Sequence, residues 1–172
     1  MSGGQSDGMI DGMVDRLALL GMAEWGEPLQ LTADDVSTLC AASPQDGVVC
    51  LLGAAIDLGH VEVDDEAHAV VIAAWTELMA RAVQLDELLL LVTDVLAARE
   101  IPIRVLKGPA VATLDEADPT WRAYGDVDVL VPAGELLAAV DALAVLGLRP
   151  AAAPVSRRWA GRYAKSMTLV HD

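Results

Sequence analysis

The chain has 172 residues, enough for one domain or for a core with a small appended lobe. Hydrophobic residues make up 54% but aromatics only 3%, with no Phe; this suits Ala-, Leu- and Val-rich helices and excludes both a disordered chain and an aromatic platform for single-stranded nucleic acid. A net charge of −15 repels phosphate backbones and speaks against polymeric DNA or RNA as a partner, although a nucleotide can still bind at a local cationic or metal-loaded site.

Residues 1–8 are rich in Gly and Ser and read as a flexible lead. From Ile10 to Ala23, apolar Ile10, Met13, Val14, Leu17 and Leu20 recur at helical spacing and predict an amphipathic helix. Thr32, with Asp35 three positions on, predicts a capped second helix. Ser43-Pro44-Gln45-Asp46 predicts the start of a third, which Gly59 closes. Residues 9–63 are therefore expected to form an all-helical N-terminal lobe. Asp64 or Asp65 then opens a long helix reaching about Glu100. Its apolar positions Val71, Ala74, Leu78, Ala82, Leu85, Leu89, Val92 and Leu96 follow helical steps, and Pro102 stands just past its end.

Cys40 and Cys50 fall in apolar helical contexts without CxxC spacing, as buried thiols of a reduced cytoplasmic protein do. Asp11 and Asp15 interrupt the first apolar segment, so it is no secretory leader. The most apolar stretch, Leu85 to Ala98, contains Asp86, Glu87 and Asp94 and is too short to span a bilayer. The expected location is the cytoplasm, with no membrane partner.

The texture changes at residue 101. Ile101 to Leu106 is short and β-branched and leads into Gly108-Pro109, which predicts a strand and a turn. A short helix is expected over Pro109 to Leu114 and a loop over Asp115 to Thr120. Gly125-Asp126-Val127-Asp128-Val129-Leu130-Val131 is the clearest strand pattern in the chain. A helix over Gly134 to Leu146 follows, capped by Gly147, then strand-like segments at Leu148 to Ala153 and Met167 to Val170. Between them Arg157, Arg158, Arg162 and Lys165 form the dense basic patch of the sequence, either a solvated face or a contact for nucleotide or an acidic partner.

Side chains alternate across a strand, so Asp126 and Asp128 project from one face and Val127, Val129 and Val131 from the other. Two carboxylates so placed repel unless a cation lies between them, and hard divalent ions take oxygen ligands together with substrate phosphates. The bland alternative is an edge strand whose acids face water. Upstream, Gly108 in a strand-to-helix turn allows backbone N–H groups to approach phosphates, and Lys107 adds a point charge. Arg122 is either a fork on the pyrophosphate leaving group or a salt bridge to a nearby acid.

The segment Ile103 to Ala110, Arg122, and the strand Gly125 to Val131 together resemble the uncharacterised nucleotidyltransferase family of the DNA polymerase beta-like superfamily. The resemblance covers about residues 64–172 and is most specific between 103 and 131. It implies an α+β fold, a small mixed sheet with packed helices, over residues 64–172 behind the helical lobe. It further implies Asp126 and Asp128 as Mg²⁺ (or Mn²⁺) ligands, and Lys107, Gly108 and Arg122 as the nucleotide cradle. The reaction implied moves a nucleotidyl group, adenylyl from ATP or its counterpart from another NTP, to a hydroxyl of a small molecule or protein. The wider superfamily usually carries a Gly-Ser turn and a third carboxylate on a later strand. Here the turn is Lys-Gly-Pro and the sequence reaches only Asp172, so the core is expected to be short of its last strand. A non-catalytic module that binds nucleotide or a partner protein stands as the alternative. His171 is either a structural strand end or a contact to acceptor or metal.

Overall fold

Short side-chain caps set many of the helix boundaries. A computed structural model describes residues 12–15, 17, 26–42, 47–116, 118–152 and 156–171. In chain order its elements are β1 (Leu29–Leu31), α1 (Ala33–Ala42), α2 (Val48–Asp57), β2 (Val61–Val63), α3 (Asp65–Ala97), β3 (Arg104–Val105), α4 (Pro109–Leu114), β4 (Val129–Leu130), α5 (Leu136–Leu143), β5 (Leu148–Pro150), α6 (Arg157–Tyr163) and β6 (Leu169–His171). A 3₁₀ turn at Pro119–Trp121 precedes β4, and another at Ala144–Leu146 extends α5. The chain divides into two compact units, Met1–Val83 with Ala110–Gly125, and Gln84–Pro109 with Asp126–Asp172.

In the first unit, Thr32 and Asp35 form a reciprocal capping box. The Asp35 N–H donates to Thr32 Oγ1 at 3.3 Å and the Thr32 N–H donates to the Asp35 carboxylate at 3.0 Å. Asp64 caps α3 by accepting from the Ala67 N–H at 2.8 Å. Gly59, at φ 73, ends the turn after α2 in a left-handed conformation that costs glycine little. Buried Val36, Leu39, Leu52, Val61 and Val71 form the core, with Met13 and Leu17 packed into it. The helix expected from Ile10 is helical over residues 12–15, and much of the rest lies outside the described residues, as does Ser43 to Asp46.

The lobe expected to be all helical also carries a parallel strand pair, with Leu29 opposite Val61 and Leu31 opposite Val63. At three residues each, LQL and VEV are too short for period-2 alternation to stand out between helices. Likewise the loop expected over Asp115 to Thr120 ends in a 3₁₀ turn. Asp118 nucleates it by accepting from the Thr120 N–H at 2.8 Å and its hydroxyl at 2.7 Å.

The second unit buries Val92 and Leu96 of α3 with Ile101, Ala139, Ala142, Leu143 and Leu148. Both of its sheets are antiparallel pairs, β3 with β4 and β5 with β6. The α+β class is as expected, with small two-stranded sheets in place of one mixed sheet. No described helix is long and apolar enough to cross a membrane.

Candidate nucleotide and metal site

The β3–β4 ladder positions the candidate residues. Arg104 lies opposite Leu130 and Val105 opposite Val129. Ile103 and Val131 pack on the core of the second unit, which fixes the inward face of the ribbon. Alternation then turns Arg104, Leu106, Leu130 and Asp128 outward; Arg104, Leu106 and Leu130 are exposed and Asp128 is partly so, while Asp126, ahead of the ladder, is also exposed. The strands expected over 101–106 and 125–131 shorten to Arg104–Val105 and Val129–Leu130, toward the later end of each. One further bond, from the Leu106 N–H to the Asp128 carbonyl at 2.9 Å, prolongs the ladder to the first residue of interest.

Immediately after Leu106 the chain turns. Gly108 sits at φ 65 and is buried, a conformation that strains any residue bearing a Cβ. The turn brings Lys107 Nζ within 3.2 Å of the Asp128 carboxylate, with side chains 72% and 47% exposed. Asp126, among the described residues, has no hydrogen-bond or ion-pair partner. Just ahead of it, Arg81 from α3 donates to the Gly125 carbonyl at 3.3 Å and tethers the start of the carboxylate segment.

Lys107, Gly108, Asp126 and Asp128 thus fall in one unit, with Lys107 and Asp128 in contact. Arg122 belongs to the first unit, where it pairs with Glu116 at 3.5 Å. His171 ends β6 opposite Leu148, and its ring lies against Gly147, 3.4 Å from where a Cβ would stand. Asp172 lies outside the described residues. In the basic patch, Ser156 caps α6 and Arg157 makes a two-pronged pair with Asp141, donating from Nη1 at 2.8 Å. That contact holds the Asp141 carboxyl below its ordinary range. Arg158, Arg162 and Lys165 are exposed, and Arg162 stacks 5.7 Å from the Tyr163 ring.

Arg104 escaped the sequence reading. The alternation of Ile101 to Leu106 already put it on the polar face. Its place opposite Leu130, on the face that also carries Asp128, depended on the register of β3 against β4, which no local pattern reveals.

Two carboxylates, one unpartnered and one held by an exposed ammonium, fit a divalent ion that arrives carrying phosphates. Among the described residues, no three His, Cys, Asp or Glu side chains converge to hold a metal by themselves. The first unit has a cleft of about 150 Å³ bordered by Trp75, Trp121, His68, Asp57, Cys50 and Asp118. Burial pushes the Cys50 thiol up, partly offset by a backbone hydrogen bond from Ala123, so it is no ready nucleophile. Asp118 is occupied by Thr120.

A helix-packed α+β fold with small sheets is of the nucleotidyltransferase type. Residues 32–169 match the family described as uncharacterised nucleotidyltransferase, and the chain belongs to that family. No curated protein and no solved structure matches the chain.

Proposed function

We propose that the protein is a Mg²⁺-dependent nucleotidyltransferase that moves an adenylyl group from ATP to a hydroxyl of a small molecule or protein. The observation that carries this reading is the contact of the Lys107 ammonium with Asp128 beside a glycine turn, with an unpartnered Asp126 two residues earlier in the chain. Membership of the family supports nucleotidyl transfer as the chemistry. The acceptor oxygen attacks the α-phosphorus and forms a P–O bond. The bond from that phosphorus to the bridging oxygen breaks, pyrophosphate leaves, and the hydroxyl proton passes to water.

Asp126 and Asp128 are the residues that would hold Mg²⁺ or Mn²⁺. The ion supplies charge neutralisation and polarisation at the phosphates. Lys107 adds a charge-assisted contact to the triphosphate, and Gly108 lets the backbone approach it. Arg122, expected in the nucleotide cradle, pairs with Glu116 within the first unit. Leu106 and the ladder bond to the Asp128 carbonyl orient the strand that carries the carboxylates.

A second reading, a module that binds nucleotide without turning it over, is favoured by the lack of a third carboxylate near the pair among the described residues. One experiment separates the two. Calorimetric titration with Mn²⁺–ATP should show binding that Asp126→Asn and Asp128→Asn each weaken by about tenfold or more. Equal binding in both variants removes the site. Pyrophosphate release that depends on Asp128 identifies the enzyme; binding without release identifies the module.

A further inference from the structure

We infer that Lys107 is the resident counter-ion of the carboxylate pair, so that the site takes a divalent cation together with its nucleoside triphosphate in preference to the free cation. This rests on the nucleotidyl-transfer site proposed above and adds an order of occupancy to it. In a chain of net charge −15, the carboxylates of Asp126 and Asp128, two residues apart just ahead of β4, carry an unfavourable local field. Lys107 Nζ, 3.2 Å from Asp128, relieves part of that field without any metal. A free divalent ion must therefore either approach beside an ammonium or displace it.

The ammonium is also easy to displace. At 72% exposure it is held by a weak surface pair on a flexible stem. An ion that brings its own phosphates supplies the alternative partner: Lys107 exchanges the Asp128 carboxylate for a phosphate oxygen while the ion takes the carboxylates, and no charge is stranded. Arg104 stands on the same outward face with no partner of its own among the described residues, ready to take a second phosphate oxygen.

The test compares wild type, Lys107→Ala, Lys107→Arg and Asp126→Asn. Free Mn²⁺ binding is read by electron paramagnetic resonance. Binding of a non-hydrolysable ATP analogue at saturating Mn²⁺ is read by equilibrium dialysis. Lys107→Ala should tighten free Mn²⁺ by about three- to tenfold, because a neighbouring positive charge is gone. The same substitution should loosen the Mn²⁺–analogue complex by about tenfold, and Lys107→Arg should track wild type in both. Free Mn²⁺ binding that Asp126→Asn abolishes but Lys107→Ala leaves unchanged or weaker would keep the metal site and overturn the counter-ion. Tightening in both measurements would overturn the exchange, with Lys107 never passing to phosphate. Indifference of both ligands to Asp126→Asn would remove the site itself, and this inference with it.

Discussion

Thr32 shows how far a single residue can be read. A Thr followed three positions later by an acid predicted the cap, and the structure closes the box from both sides. The Thr32 hydroxyl and N–H both donate to Asp35, which favours the ionised form and holds that carboxyl below its ordinary value. With the folded pKa depressed, this contribution is present above the unfolded value near pH 4 and is lost as pH falls through the folded one. Thr32→Ala is expected to cost about 1 kcal/mol at pH 7. Urea melts should show a smaller gap from wild type at about pH 3, since part of the lost bonding needs an ionised Asp35. A gap that does not change with pH would mean that the hydroxyl acts only as an acceptor. The turn at Gly108 was legible for the same reason, since turn chemistry is local. The ion pairs of Lys107 with Asp128 and of Arg122 with Glu116 were not, because they depend on how separate segments return to one another.

Among the elements, α3 was the most legible, because a cap at Asp64 and a sustained apolar stripe agree. Val71, Ala82, Val92 and Leu96 of that stripe are all buried. The least legible were β1 and β2, whose pairing decides their state more than their composition does. The packing of α6 on α5 offers a test at this scale. A Cβ added at Gly161 would stand 3.0 Å from Leu137 Cδ1, so the side chain of Leu137 would have to shift. Helix propensity pulls the other way, by about 1 kcal/mol for Gly to Ala in a helix interior. Gly161→Ala is therefore expected to be nearly neutral in wild type. In a Leu137→Ala background it should stabilise by up to about 1 kcal/mol in the same denaturation assay. Equal effects in the two backgrounds would show that Leu137 yields without cost.

Across the whole molecule, acidic composition and absence of an aromatic platform agree with a site whose cations are few and local, chiefly Lys107 and Arg104. The division into two units was not visible in the sequence, since the chain passes from one to the other within α3 and again after Pro109 and Gly125. None of the described strand pairs is a hairpin. Leu29 meets Val61 across two helices, while Val105 meets Val129 and Pro150 meets Leu169 each across one α-helix. Closing such loops costs chain entropy before any strand contact forms, whereas helices need only near neighbours. In stopped-flow refolding, the far-ultraviolet helical signal should therefore lead the appearance of the proposed Mn²⁺–ATP binding, because Lys107 and Asp128 meet only once the β3–β4 register is set. Simultaneous recovery of both signals would place that register in the folding nucleus. The proposed binding competence of this chain is in that sense a late kinetic event: helices can be abundant while the contact of Lys107 with Asp128 does not yet exist.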